Sequence, residues 1–321
     1  MVSRIDNKNR KKKKRWPFIV GGIILFLILV IGGGAFFVWN QIGKVVETMH
    51  SPLERDNNPE RQEEINRLYK DSDAVNILLL GVDERDGDVG RSDTMILLSL
   101  NSRTDSMVML SIPRDTYVNI PNRGMDKINH AYAFGEAAQP GGGTELAIET
   151  VENTFNLPIH SYVRVNMEGF QQGIDALGGV TVQNSTAFSQ DGHTFNEGNI
   201  NLNGEEALSY IRMRKQDSRG DMGRNERQRE VIVAAMNEAA SFSSITKAGN
   251  ILDILGNNVQ TDLDMNRLQT LFTDYSGTRK NVETMEISGD GQTINGVWYY
   301  VVPDEEINRI QSTITEHMEQ K

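Results

Sequence analysis

The 321-residue chain lacks cysteine, lacks net positive charge, lacks internal repeats, and has only one long uncharged apolar run. Without cysteine there is no disulfide framework, so a folded body must rest on its hydrophobic core, which a chain of this length can build. A net charge of −11 argues against nucleic acid as a partner of the main body. The first fifteen residues carry eight basic groups and one acid, so they contribute +7 and leave residues 16–321 at −18. Most of the chain is therefore strongly acidic.

The single apolar run covers residues 18–39, and at about 1.5 Å per residue its 22 residues reach roughly 33 Å, enough to cross a bilayer core of about 30 Å. Trp16 and Trp39 bracket it as interfacial aromatics do. It exceeds the roughly 7–15 residues of a signal-peptide core, and no small-x-small site follows it, so a retained anchor is expected. The basic block Arg10 to Arg15 lies only on its N-terminal side. The positive-inside rule then puts a tail, residues 1–17, in the cytoplasm and everything after about Gln41 outside. The expected protein is a single-pass, type II cell-membrane protein. Residues 40–74 are polar, contain Pro52 and Pro59, and read as a juxtamembrane stalk.

Residues 75–321 read as one extracytoplasmic domain. Short apolar runs at 76–82, 94–100 and 107–112 predict buried strands, the last two joined by a hairpin over Asn101–Ser106. Helical spacing marks 144–155, with Thr144 as cap, and 167–177, closed by Gly178-Gly179. A strand at 162–165 precedes that second helix, and another at 180–182 follows it. Asn203 caps the next helix, and Arg224 opens a longer one to about Ser241. Further helices are expected at 244–256, 264–276 and 304–318, with strands at 282–287 and 297–302. Mixed strands and helices without a repeat predict an α/β fold, a sandwich of the α/β/α type around a mixed central sheet.

Against this acidic background, residues 212–229 hold seven basic groups and three acids. Arginine suits phosphate because its planar fork donates two parallel hydrogen bonds. Arg212 and Arg214 would diverge by about 200° on a helix, so they share a ligand only if the helix ends there and the chain becomes extended. Gly220 and Gly223 permit a returning loop. Arg224 and Gln228, four apart, share a face at the start of the next helix, where free N–H groups also favour anions. This predicts an anion cradle of Arg212, Arg214, Arg224 and Gln228, with Arg219, Arg227 and Arg229 as a solvated face. The tripeptide Arg219-Gly-Asp221 spells an adhesion motif, which inside this arginine run is coincidence.

Two upstream stretches supply the other charge. Asp83 closes one strand and Asp93 precedes the next, near Arg91, and two carboxylates at adjacent strand ends suit a hard divalent cation that bridges phosphates. Arg114 and Lys127 add two cations after the third strand. His130 reads as a buried, hydrogen-bonded structural histidine. The apolar stripes of helices 144–155 and 228–240 could line a lipid tunnel or serve as ordinary core, and core is favoured.

Five blocks now stand in order: Leu-Leu-Gly81-Val-Asp83, Arg91-Ser-Asp93-Thr, Ile-Pro-Arg114-Asp, Lys127-Ile-Asn-His-Ala-Tyr132, and Arg212-Met-Arg214 with Gly223-Arg224 and Arg227-Gln228. Together they resemble the LytR-CpsA-Psr (LCP) family, over about residues 76–233. The short basic tail and single anchor match as well. The resemblance implies an α/β envelope enzyme of mostly Gram-positive bacteria, a phosphotransferase that moves glycopolymers from undecaprenyl-diphosphate carriers to peptidoglycan. The Bacillus-type members it most resembles act on wall teichoic acid. It implies Mg²⁺ (or Mn²⁺) at Asp83 and Asp93, and pyrophosphate contacts from Arg91, Arg114, Lys127, Arg212, Arg214, Arg224 and Gln228. Some relatives carry a further arginine where this chain has Val118, so that contact is not expected.

The acceptor on this reading is a hydroxyl of peptidoglycan, the C6 hydroxyl of N-acetylmuramic acid. Phosphoryl-type transfer depends mainly on positioning and charge neutralisation. Asp93, Arg114 and Asp221 are the expected catalytic groups, and the proton acceptor stays open between Asp93 and Asp221. Two other functions use the same residues: a pyrophosphatase acting on polyprenyl diphosphates, and a non-enzymatic envelope regulator.

Overall fold

A computed structural model describes residues 43–84, 89–241, 256 and 258–321. Its centre is a six-stranded sheet in the order β11-β6-β1-β2-β3-β12. The strands are β1 (Val75–Val82), β2 (Ser92–Asn101), β3 (Ser106–Ser111), β6 (Ser161–Asn166), β11 (Val259–Thr261) and β12 (Val282–Met285). β1 runs parallel to β6 and β3 to β12, while β1–β2, β2–β3 and β6–β11 are antiparallel, so the sheet is mixed as expected. The turn at 102–105 makes the β2–β3 hairpin.

Strand alternation sends side chains to opposite faces, and each face is covered. Leu78, Leu80, Leu97 and Leu110 meet helices α3 (Gly142–Phe155) and α8 (Asp304–Glu319) through Ile148, Phe155, Ile310 and Ile314. Ile77, Ile96, Leu98 and Met109 face Ile65 and Tyr69 of α1 (Pro59–Lys70), Ile232 and Met236 of α6 (Asp221–Ser241), and Leu268 of α7 (Met265–Asp274). These two layers make the α/β sandwich.

A second apolar cluster joins α4 (Met167–Leu177), α5 (Gly204–Arg212) and α6 to the pair β7 (Val180–Asn184) and β10 (Gly198–Leu202). The hairpin of β8 (Phe188–Gln190) and β9 (His193–Phe195) belongs to it. Asn203 caps α5 as its sequence predicts, in a capping box with Glu206 at 2.9 Å both ways.

Several expectations change. The described residues from 44 onward form one compact unit, so the segment expected as a stalk belongs to the domain from residue 44 on. Leu53 is buried, Tyr69 donates to Ser161 Oγ at 3.1 Å, and Arg55 pairs bidentately with Glu152 at 2.8 Å. The polar composition of this segment hides the helical spacing of Ile65, Leu68 and Tyr69, which supplies a narrow apolar stripe. The strand over 297–302 does not enter the sheet; β14 (Val297–Val301) pairs with β13 (Asp290–Ile294) in a separate hairpin. α3 opens at Gly142 behind Gly141, before the Thr144 cap. The apolar run 18–39 and the helix expected at 244–256 lie outside the described residues, save Gly256. Among the described residues no helix is long and apolar enough to cross a membrane.

Candidate active site

The C-terminal end of β1 and the N-terminal end of β2 are neighbours, with Val82 paired to Ser92. The N–H groups of Asp83 and Asp93 both donate to the carbonyl of Arg91, at 3.3 and 3.0 Å. One backbone oxygen thus ties the two carboxylate residues together. After β3 the chain turns at Pro113, and Arg114 Nη1 reaches Asp93 Oδ2 at 3.0 Å, while Asn129 Nδ2 donates to Asp93 Oδ1 at 3.2 Å.

The opposite wall comes from the α5–α6 connection. α5 ends at Arg212 and Met213 is extended (φ −60°, ψ 131°). That is the condition under which Arg212 and Arg214 turn to one ligand, and both line the cleft. Gly220 adopts φ +58°, and α6 starts at Asp221, three residues before the expected Arg224. At Gly223 a Cβ would lie 1.8 Å from Asp217 Oδ2, so a larger residue would displace that carboxylate from Arg227. Asp221 then pairs with Arg214 Nη2 at 3.2 Å and with Arg224 Nη2 at 2.9 Å. Arg212 Nη2 lies 3.8 Å from Asp83 Oδ1, so the two walls meet.

The result is a cleft of about 420 Å³ lined by Arg114, Arg212, Arg214, Lys215 and Arg224 against Asp83 and Asp93, with Gln228 beside them. Five cations against Asp83, Asp93 and the adjoining Asp221 still leave an excess of positive charge for an anion. Nε of Arg114 and Nε of Arg224 are buried without a hydrogen-bond partner among the described residues. Unmet buried donors are unfavourable, and a bound oxyanion would complete the network. Burial opposes the charge of Arg114, but Asp93 and Asp115 outweigh it and hold that guanidinium above its ordinary range. For Arg224 burial wins over Asp221 and lowers the value, although a guanidinium stays charged in proteins.

An apolar pocket of about 130 Å³ opens beside the cleft and shares Thr94, Met167, Ile211 and Gln228 with it. Leu79, Val163, Phe170 and Ile232 are among its other lining residues. Of the two helices considered for a lipid tunnel, only α6 contributes, through Gln228 and Ile232. Residues 144–155 lie on the other face of the sheet and serve as core.

Other expected residues are placed differently. Arg91 is exposed and contributes its carbonyl, and its side chain is not part of the cleft lining. Lys127 Nζ is held 2.6 Å from Asp115 Oδ1, outside the cleft lining. Asp221 lines a neighbouring pocket instead. His130 is hydrogen-bonded to Asp126 at 2.9 Å as expected, but it is half-buried rather than buried.

Arg227 and Arg229, expected on a solvated face, are buried. Arg227 binds Asp217 at 2.7 Å and the Met213 carbonyl at 2.6 Å; Arg229 binds Glu286 at 3.0 Å and Ser111 Oγ at 2.9 Å. Arg227 thus ties the loop to α6, and Arg229 ties α6 to Ser111 and Glu286, instead of meeting solvent. Arg219 is exposed, as expected. Sequence reasoning missed Asp115, Asn129 and Lys215, although each lies inside or beside a block already singled out.

Among the described residues no group of three or more His, Asp or Glu side chains converges as a metal cage. Asp83 and Asp93 both line the cleft and are oxygen donors of the kind a hard divalent cation takes.

The LytR_cpsA_psr family model matches residues 36–316. The chain belongs to the LytR-CpsA-Psr family. It is 70% identical, over the whole length of both chains, to the protein of Oceanobacillus iheyensis named polyisoprenyl-teichoic acid–peptidoglycan teichoic acid transferase TagU. The crystal structure of Bacillus subtilis TagU superposes with TM-score 0.63 at 41% identity, covering 78% of this chain and 98% of that one. TagT bound to LIIa-WTA is similar with TM-score 0.64 at 30% identity, covering 77% and 91%. The family, read from five short blocks, and the mixed α/β fold, read from the order of strands and helices, are thereby borne out. The match also runs well past residue 233, where the five blocks end.

Proposed function

We propose that this LCP-family chain is a phosphotransferase that moves an anionic glycopolymer, wall teichoic acid by the names of its relatives, from an undecaprenyl-diphosphate carrier to peptidoglycan. The observation that carries this reading is the arginine cleft adjoining an apolar pocket, with four residues in common. A diphosphate and the first units of a polyprenyl chain need those two environments side by side.

On this reading Arg114, Arg212, Arg214 and Arg224 hold the pyrophosphate oxygens and neutralise their charge, and Gln228 adds a neutral donor. Asp83 and Asp93 would hold a Mg²⁺ (or Mn²⁺), whose chemistry when bound is charge neutralisation on phosphate oxygens. The acceptor hydroxyl, which we assign to C6 of N-acetylmuramic acid, forms a bond to the sugar-side phosphorus. The bridging P–O bond breaks, and the lipid phosphate leaves with the electron pair. Asp221 is engaged by two guanidinium groups and Asp93 by Arg114 and Asn129, which favours positioning roles for both. The hydroxyl proton then passes to water or to the departing phosphate. Preorganised charge of this kind lowers a phosphoryl-transfer barrier without a covalent intermediate.

The apolar run 18–39 and the basic block before it support membrane anchoring, with the catalytic domain outside the cell. The test uses the full chain in detergent micelles with a short lipid-diphosphate donor, Mg²⁺ and glycan oligomers. Mass spectrometry should find the donor's sugar phosphate on the oligomer. Sugar phosphate released only to water would support the pyrophosphatase reading instead.

A further inference from the structure

A third pocket, of about 290 Å³, is close to the lower size of ordinary ligand sites (~300 Å³) and shares Arg114 and Arg214 with the cleft. It has no lining residue in common with the apolar pocket. The order is therefore apolar pocket, cationic cleft, third pocket. In-line displacement needs the attacking oxygen opposite the leaving one. If the lipid phosphate leaves on the apolar side, the acceptor enters from the third pocket.

The chemistry of this pocket differs from that of the cleft. Beside Asp221 and Ser218 it presents Trp298 and Tyr300 from β14. The two are spaced i, i+2 and share one face of the hairpin. Trp298 is 42% exposed, so its indole is not core. Gly291 lies diagonally across the hairpin, and a Cβ there would come within 2.9–3.1 Å of the indole. The missing side chain lets the ring lie against the hairpin backbone.

The hairpin is also tied to the catalytic wall. Tyr300 N donates to the Asp115 carbonyl at 2.9 Å, and Thr116 forms a bridge with Tyr300. Tyr300 Oη donates to the Ile287 carbonyl at 2.8 Å, which fixes that ring. An open aromatic face beside hydroxyl and carboxylate groups is suited to a pyranose ring, which has an apolar C–H face and a hydroxyl edge.

We infer that this pocket is the acceptor subsite, in which Trp298 stacks on a sugar ring of the peptidoglycan glycan and directs its hydroxyl toward the phosphorus held by Arg114 and Arg214. This rests on the transferase reading and adds where the acceptor binds. One aromatic stacking contact corresponds to about tenfold in affinity.

The test uses the full chain in detergent micelles. Trp298→Ala should raise the acceptor-glycan KM about tenfold and leave the donor KM, and donor hydrolysis without acceptor, unchanged. Trp298→Phe should recover most of the loss. Gly291→Ala, which displaces the indole, should give an intermediate value. An unchanged acceptor KM, or a rise confined to the donor KM, would overturn the subsite.

A binding measurement separates this inference from the reading beneath it. The chain has three tryptophans, at 16, 39 and 298, so fluorescence quenching by glycan oligomers reports the pocket if Trp298→Phe abolishes it. Quenching without any transfer by the native protein would count against the transferase reading and for a sugar site. Transfer without quenching would sink the subsite alone.

Discussion

Arg114 Nη1 and Asp93 Oδ2 stand 3.0 Å apart across the ends of β3 and β2, and the same carboxylate receives Asn129 on its other oxygen. The arginine most central to the cleft is therefore held in place before any ligand arrives. Replacing Arg114 with Ala removes a preorganised cation from the phosphate site and frees Asp93 to face the substrate's negative charge. We expect kcat to fall by about 10²–10³, the range for losing one such stabilising group. Arg114→Lys should recover only part, since an ammonium lacks the planar fork. Steady-state transfer rates at saturating donor check this, and an Arg114→Ala enzyme within threefold of native would exclude the role.

The metal expectation rests on Asp83 and Asp93, whose N–H groups share the Arg91 carbonyl. With only two carboxylates, affinity for Mg²⁺ depends on phosphate oxygens to complete the shell. Calorimetry should detect weak Mg²⁺ binding to the protein alone and much tighter binding with a soluble diphosphate present. Asp83→Asn should weaken the second by about tenfold or more, because a neutral amide replaces a hard anionic ligand. Equal Mg²⁺ affinity with and without diphosphate would remove this site.

The floor of the arginine loop is a buried pair, Arg227 with Asp217, and Arg227 also lies over the Phe188 ring at 5.5 Å. Burial works against the Asp217 carboxylate, but hydrogen bonds from Arg227 and Arg219 prevail and hold its pKa down to about 2. Removing one partner of a buried pair leaves an uncompensated charge and typically destabilises by about 3–5 kcal/mol. Arg227→Ala should reach that range in denaturant unfolding. Arg219→Ala, on an exposed arginine, should fall below about 1 kcal/mol.

This pair also shows where the sequence stops being legible. Arg212, Arg214, Arg224 and Gln228 could be assigned to the cleft because helix and strand periodicity fixes which neighbours share a face. Arg227 and Arg229 have the same composition and a similar local pattern, yet their partners are Asp217 across a loop and Glu286 beside β12. Only the tertiary fold brings those acids near. Lys127 failed for a related reason, since Asp115, twelve residues back, claims its ammonium. Buried strands β1 to β3 were legible because uninterrupted apolar runs between turn signals have few alternatives. Trp298 and Tyr300 were read simply as strand, because periodicity does not reveal that a strand leaves the sheet.

A last prediction concerns two buried titratable groups on opposite sides of β6. His160 accepts the Asn76 N–H at 2.8 Å, and burial, reinforced by Arg61 and Arg55, lowers its pKa to about 4. Its contribution to stability is complete above the unfolded value of 6.5 and is lost as pH falls toward 4, because the unfolded chain takes up the proton first. Asp262 behaves oppositely. Burial raises its pKa from 3.8 to about 7, against the bond it accepts from Tyr162 N at 2.9 Å, so the folded state binds the proton first and gains stability as pH falls from 7. Between pH 7 and 5 each term amounts to about 2 kcal/mol with opposite sign. The native protein should show little net change from this pair. His160→Asn, which keeps an acceptor for Asn76, should gain about 2 kcal/mol relative to native over that interval, and Asp262→Asn should lose about as much. Guanidinium unfolding at pH 7, 6 and 5 measures both slopes, and other carboxylates cancel in the comparison with native. Two variants with the native slope would mean that neither group titrates in the folded state as its burial requires.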